Sequence, residues 1–95
     1  MVKIYRSSAS KRDIADIVAF VAKENRGAAR DLLTRLDRAV RALGDTPQMG
    51  PVHPELRGSP RGIVVHPYVV LYHEDSRGVR IMRILDGRRD LPNTF

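Results

Sequence analysis

The sequence predicts an α+β domain in which a short N-terminal strand and an antiparallel two-helix hairpin pack on a small, mostly antiparallel sheet. Three observations support this prediction: helical spacing of apolar residues up to residue 44, short β-branched runs from residue 63 to residue 85, and a Pro- and Gly-rich stretch between them. At 95 residues, with 42% hydrophobic, the chain is expected to form one domain over residues 1–95.

The N-terminal strand and first helix are predicted from alternation and capping. Val2 and Ile4 alternate with basic residues, which is typical of a strand. Ser10 is the expected N-cap of the helix because Asp13 follows three residues later, a relative of the capping box. Residues 25–27 then end this helix.

The second helix is predicted from a longer apolar stripe. Its members are Ala29, Leu32, Leu33, Leu36, Val40 and Leu43. Gly44 is expected to stop this helix in a left-handed conformation. On the exposed side the i, i+4 spacing predicts the ion pairs Asp31 with Arg35 and Asp37 with Arg41.

The second half of the chain reads as a shaped loop followed by two linked β-hairpins. Pro and Gly interrupt residues 45–62, and strands are predicted at 63–65, 68–73 and 79–85. The last of these strands is apolar on both sides, which favours a central position in the sheet.

Composition excludes several classes of protein. The absence of Cys excludes disulfides, thiolate metal sites and a Cys nucleophile. No apolar run is long enough to cross a membrane, and the first ten residues lack a secretory pattern, so we expect a cytoplasmic protein without a membrane partner. The net charge is +6, and 14 of the 17 basic residues are Arg, which leaves an acidic protein and a nucleic acid both open as partners.

No cofactor or metal site is predicted. The candidate ligands His53, His66 and His73 lack the spacing of a metal site. The chain also has neither a GxSxG nucleophile elbow nor a phosphate-binding GxxxxGK[ST] loop.

Arg83 is the most informative of the basic residues in the β-rich half. A charge within an apolar central strand has to be paired or has to emerge on an exposed face. Asp86 and Asp90 are the candidate partners, and a functional role for Arg83 is the alternative.

Ribonuclease chemistry would need a base, an acid and a cation beside the phosphate. Arginine supplies only the cation, because its pKa prevents proton exchange near neutral pH. The candidate set for this alternative is Arg61, His66, His73 and Arg83, and nothing in their spacing brings them together.

The order of motifs resembles the ParE branch of the RelE/ParE superfamily of toxins from type II toxin–antitoxin systems. The motifs are TPQMG, ELRGSPRG, HPYVVLYH and VRIMRILDGRRDL, and the resemblance extends from about residue 4 to residue 91. It implies a curved sheet covered by the two helices. It also implies a ParD-like ribbon-helix-helix antitoxin as partner, with DNA contacted only indirectly through that antitoxin.

The resemblance implies a toxin that inhibits DNA gyrase, blocks replication and arrests growth, as part of a bacterial stress response. Relatives of the RelE type cut ribosome-bound mRNA with Lys, Arg and a C-terminal Tyr. This chain has no Lys after Lys23 and ends in Phe95, so we favour gyrase inhibition and no catalytic residue. The alternatives are the ribonuclease and a non-toxic co-repressor that only binds the antitoxin.

Two surfaces follow from the resemblance and the patterns. By position, five basic residues are expected to line the exposed sheet face and contact the target: Arg57, Arg61, Arg83, Arg88 and Arg89. The antitoxin is expected on the helical hairpin, at Ile14, Ile17, Val21, Arg35, Arg38 and Arg41.

Overall fold

The computed structural model describes residues 1–88 and confirms the α+β order. The elements are β1 (Lys3–Arg6), α1 (Ser8–Glu24), α2 (Arg26–Asp45), β2 (Arg61–Val65), β3 (Tyr68–Asp75) and β4 (Gly78–Asp86). The two helices form a hairpin between β1 and the remaining strands, as the apolar spacing predicts.

The four strands form one mixed sheet in the order β1-β4-β3-β2. β1 runs parallel to β4, and the β2–β3 and β3–β4 pairs are antiparallel. β4 is therefore a central strand, which confirms the prediction from its two apolar faces. The register shifts where Leu71 pairs with Arg83 and Tyr72 pairs with Ile81, so Met82 is the extra residue of a β-bulge.

The main core lies between the helices and one face of the sheet. The α2 stripe of Leu32, Leu36, Val40 and Leu43 packs against alternate residues of β2, β3 and β4. From the sheet, the core takes Ile63, Val65, Tyr68, Val70, Tyr72, Val79, Ile81 and Ile84. The bulge allows Ile81 and Ile84, three positions apart, to face the same side.

Ser7, and not Ser10, is the N-cap of α1. The Ser7 hydroxyl accepts a hydrogen bond from the Ser10 N–H at 3.0 Å and donates one to the Met82 carbonyl at 2.7 Å. Ser10 is buried inside the first turn, where its hydroxyl donates to the Ser7 carbonyl at 2.8 Å. The helix starts early because its cap also satisfies a carbonyl at the bulge.

Gly44 does not end α2, which continues to Asp45. Its carbonyl accepts a hydrogen bond from the Val2 N–H at 2.9 Å, and a Cβ at this position would lie 3.3 Å from the Met1 side chain. The N-terminal segment thus packs closely against the helix at this glycine, whose backbone is not left-handed.

Of the two predicted helix ion pairs, only one forms. Asp37 and Arg41 lie 2.9 Å apart. Arg35 instead donates to the His66 carbonyl at 2.9 Å, which joins α2 to the β2–β3 turn. Within residues 1–88, no helix combines the length and hydropathy of a membrane span.

Candidate functional site

The face of the sheet turned away from the helices, here called the open face, is only partly covered. Strand alternation turns Val69, Leu71 and Leu85 to this face, where they form a small buried cluster with Leu56. Leu56 belongs to the segment between α2 and β2, residues 46–60, which we call the covering loop.

Backbone hydrogen bonds give the covering loop its shape. The His53 N–H donates to the Pro60 carbonyl at 2.8 Å, and the Leu56 N–H donates to the His53 carbonyl at 3.1 Å. The His53 ring lies against Gly62, where a Cβ would meet Nε2 at 3.0 Å. The ring also contacts the carboxylate of exposed Glu55 at 3.0 Å, and this side-chain hydrogen bond lowers the pKa of Glu55.

Tyr72 and Arg61 hold the start of the covering loop. They are cross-strand neighbours, so their side chains lie on the same, helix-covered side of the sheet. The Tyr72 hydroxyl donates to the Pro47 carbonyl at 2.7 Å and accepts from the Gly50 N–H at 2.9 Å. The Arg61 guanidinium donates to the Gly50 carbonyl at 2.8 Å. The expectation that Arg61 lines the exposed sheet face is therefore wrong, since it faces the other side and binds the loop.

Arg83 is paired with Asp13, which sequence reasoning did not consider. The guanidinium makes two hydrogen bonds to the Asp13 carboxylate, from Nε at 2.8 Å and from an Nη at 3.0 Å. The same carboxylate accepts the Ile84 N–H at 2.9 Å. β1 pairs with β4 only as far as Ile81. Beyond that point the start of α1 lies along β4, and Asp13 accepts a backbone N–H group there. Asp90, one predicted partner, lies outside the described residues.

Two other residues of the predicted target surface are exposed. Arg57 lies at the tip of the covering loop, and Arg88 follows β4, where it contacts Asp86 at 3.5 Å. Arg89, the fifth member of this set, lies outside the described residues.

The structure does not bring the ribonuclease candidates together. His66 is in the turn before β3, and His73 is near the other end of that strand, roughly 17 Å from its first residue at about 3.4 Å per residue. Arg61 lies on the helix-covered side, while His73 lies on the open face. Among residues 1–88, no group of three His, Cys, Asp or Glu side chains is placed to hold a metal ion.

A groove between the helices forms the second candidate surface. Its volume is about 540 Å³, and it is lined by Arg6, Lys11, Ile14, Leu33, Thr34, Leu36 and Asp37. Leu33, expected in the core, is 43% exposed at its rim. We call this cavity the helix groove.

Only some of the predicted antitoxin residues lie at the helix groove. Ile14 lines it, and Ile17 and Val21 are half-buried against the core. Arg41 pairs with the groove residue Asp37, whereas Arg35 points to the β2–β3 turn. Arg38 is exposed between these two directions.

Comparison with known proteins identifies the family. A family model described as the ParE toxin of the type II toxin–antitoxin system parDE matches residues 4–91. The chain belongs to the ParE toxin family. It is also similar to Toxin ParE3 of Caulobacter vibrioides, with 37% identity over 70 residues that cover 72% of this chain and 70% of the relative.

Membership of the ParE family makes this chain the toxin of a type II toxin–antitoxin pair, with an antitoxin as its partner. The two surfaces described above are therefore surfaces of a toxin that has to meet an antitoxin. The resemblance of the motifs and the order of the elements are confirmed together.

Sequence reasoning missed the partners that fix this toxin's arginines. From the sequence, Asp13 is expected only to cap α1, and Tyr72 only to belong to a strand. The parallel β1–β4 pairing, which places Tyr5 beside Arg80, was not predicted either. The short apolar N-terminal strand could have indicated it, because β4 needs a neighbour on each side.

Proposed function

We propose that this ParE-family toxin inhibits DNA gyrase, blocks replication and arrests growth, and that a ParD-like ribbon-helix-helix antitoxin neutralises it. Membership of the family supports a toxin. His66, His73 and Arg61 lie apart from one another, and this separation is the reason to prefer a toxin that binds its target over one that cleaves RNA. The set predicted for cleavage, Arg61, His66, His73 and Arg83, therefore does not supply a base and an acid beside one phosphate. A toxin that acts by binding needs only a shaped, charged surface.

For the gyrase contact we propose the exposed arginines Arg57 and Arg88, together with Arg89, which lies outside the described residues. Arg61 and Arg83 support this surface indirectly. Arg61 fixes the covering loop that carries Arg57, through its 2.8 Å hydrogen bond to Gly50. Arg83 fixes the end of β4 that leads to Arg88, through its ion pair with Asp13.

The antitoxin is proposed to bind in the helix groove. Of the residues in α1, only Ser10 is fully buried, and its apolar residues Ile14, Ile17 and Val21 stay half-exposed. Phe20 is 67% exposed on the same helix. A helix that leaves this much apolar surface uncovered is suited to an apolar partner segment.

Charge around the helix groove selects an acidic partner. Arg6 and Lys11 line it, and Arg38 and Arg41 project from the neighbouring surface of α2. Against these, Asp37 is already engaged by Arg6 at 3.8 Å and by Arg41 at 2.9 Å. An antitoxin segment with acidic residues beside apolar anchors therefore complements the groove.

A supercoiling assay with purified gyrase and relaxed plasmid tests the target. The toxin should block supercoiling, and Arg57→Glu should weaken the block because it reverses an exposed charge of the proposed surface. Arg30→Glu, an exposed arginine on α2 away from that surface, is the matched control. Undiminished supercoiling at high toxin concentration would refute the gyrase proposal, and new transcript ends after induction would point to RNA cleavage.

Binding of the cognate antitoxin tests the groove. Leu33→Glu should weaken the complex by tenfold or more, which corresponds to about 1.4 kcal/mol, because it puts a charge at an apolar anchor. Val64→Glu changes a 71% exposed aliphatic residue of β2 and should leave affinity unchanged. Equal affinities for both variants, or no loss when Arg38 and Arg41 become Glu, would exclude this docking mode.

A further inference from the structure

Three polar side chains lie in one row across the open face. The register pairs Arg80 of β4 with Tyr5 of β1 on one side and with His73 of β3 on the other. Paired residues on neighbouring strands present their side chains to the same face, so the phenol, the guanidinium and the imidazole are adjacent. We call Tyr5, Arg80 and His73 the polar row.

The polar row has no partner within the described part of the chain. All three residues are half-buried, yet none makes a side-chain hydrogen bond or ion pair among residues 1–88. Arg61 and Arg83, in contrast, are each fixed by an oxygen acceptor at 2.8 Å. Among the described residues no buried side-chain nitrogen or oxygen lacks a hydrogen-bond partner, so the polar atoms of the row reach solvent and are accessible to a ligand.

The surroundings of the polar row are basic. Lys3 is exposed two positions before Tyr5 on β1, and the backbone of Gly58, next to Arg57, lies beside His73. A Cβ on Gly58 would be 3.6 Å from the His73 Nε2 atom. The polar row therefore has basic residues on both sides, which favours the binding of an anion.

Two carboxylates follow His73 on β3, and both accept hydrogen bonds from other groups. Asp75 accepts the N–H groups of Arg77 and Gly78, at 2.8 and 3.1 Å, in the β3–β4 turn. Glu74 follows His73 on the opposite face and accepts from Gln48 at 3.4 Å. Neither carboxylate pairs with Arg80 within residues 1–88, so the donors of its guanidinium are available to another anion.

We propose that the polar row binds a phosphate of a nucleic-acid strand. Arg80 can donate to two phosphate oxygens at once, and the Tyr5 hydroxyl and the His73 ring add donors on either side. Tyr5 also offers an aromatic ring on which a base can stack. A basic surface interleaved with aromatic side chains is the pattern of single-strand binding.

A protein partner fits this part of the open face less well. Protein interfaces depend on buried apolar anchors. Three apolar residues of the open face, Val69, Leu71 and Leu85, are already buried together with Leu56. Val64, which is exposed on the same face, lies on β2, at the edge of the sheet opposite β1 and outside the three strands that carry the row. The proposal departs from the expectation that DNA is contacted only through the antitoxin, and it does not depend on gyrase as the target.

Fluorescence anisotropy with the full chain and a fluorescein-labelled 12-mer of deoxythymidine tests the proposal. At low salt, Arg80→Gln should weaken binding by about tenfold or more, since it removes a charged donor pair. The salt dependence of log K should also become shallower by about 0.7, the value for one phosphate contact on a single strand. Arg30→Gln, which removes the same charge from exposed α2, should change affinity by much less.

Two further measurements keep the result interpretable. Arg80→Lys keeps the charge without the planar fork and should fall between the wild type and Arg80→Gln, and circular dichroism checks that each variant is folded. The proposal fails if Arg80→Gln binds like Arg30→Gln. It also fails if polyglutamate binds as tightly as the oligonucleotide with the same dependence on Arg80, because the row would then recognise a carboxylate chain.

Discussion

Replacing Tyr72 with Phe removes a single buried hydroxyl on which the covering loop depends. That hydroxyl donates to the Pro47 carbonyl at 2.7 Å and accepts from the Gly50 N–H at 2.9 Å. Phe fills the same core volume, so packing is preserved while the two backbone groups lose their partner. Gly50 is buried, whereas Pro47 is half-buried and can regain a water.

The expected loss of stability follows from these two contacts. An unsatisfied buried donor costs about 1–3 kcal/mol, and a group that water can reach costs much less. We therefore expect Tyr72→Phe to lower the free energy of unfolding by about 2 kcal/mol. For a chain of this size, each kcal/mol moves the melting temperature by about 4–8 °C, so it should fall by about 8–16 °C.

Urea unfolding followed by circular dichroism measures this loss, with Tyr68→Phe as the matched control. Tyr68 is a buried tyrosine of the same strand, and its hydroxyl makes no hydrogen bond among residues 1–88. Its replacement should cost less than about 0.5 kcal/mol. If both variants unfold at the same urea concentration, the hydroxyl does not hold the loop and the reasoning is refuted.

Two further variants test the other fixed contacts, each by urea unfolding. Asp13→Asn should cost about 2 kcal/mol because it breaks the two-bond pair with half-exposed Arg83, while Asp37→Asn, in a surface pair, should cost at most about 1 kcal/mol; equal losses would contradict a special role for Asp13. Gly50→Ala should cost about 1–3 kcal/mol, since its Cβ would lie 2.6 Å from the Gly62 carbonyl oxygen, and an unchanged stability would show that this close approach relaxes freely.

The sequence predicts the helices and strands well where the apolar pattern extends over many residues. It does not predict the long-range contacts that determine where those elements begin and end. The apolar stripe of α2 is unambiguous over 20 residues, so the helix and its buried face are confirmed. Ser10 looked like an N-cap because local rules see only its neighbours. The choice of Ser7 depends on Met82, which is 75 residues away and offers a carbonyl at the bulge. The stop predicted at Gly44 is wrong for the same reason, because the segment that packs against it, Met1–Val2, is remote in the sequence.

The sequence predicts which residue types matter at the candidate site, but it does not predict which side chains pair with one another. Arg83 was recognised as a charge that needs an explanation within an apolar strand. Its partner Asp13 lies 70 residues earlier, and only the position of α1 along the edge of β4 brings the two together. Such a contact has no local pattern, since capping rules already account for an acidic residue in a first helical turn.

The number of arginines in this toxin does not by itself show which of them bind a partner. Arg35, Arg61 and Arg83 each donate to an oxygen acceptor within the described structure and so stabilise the fold. Because these donors are used internally, replacing any of the three would lower stability and activity together, and an activity loss alone would not identify a contact with the target. Arg57 and Arg80 make no such contact within residues 1–88, so a loss of binding without a loss of stability at either position would identify a contact with a partner. The net charge of +6 becomes informative about function only after the internally paired arginines are set aside.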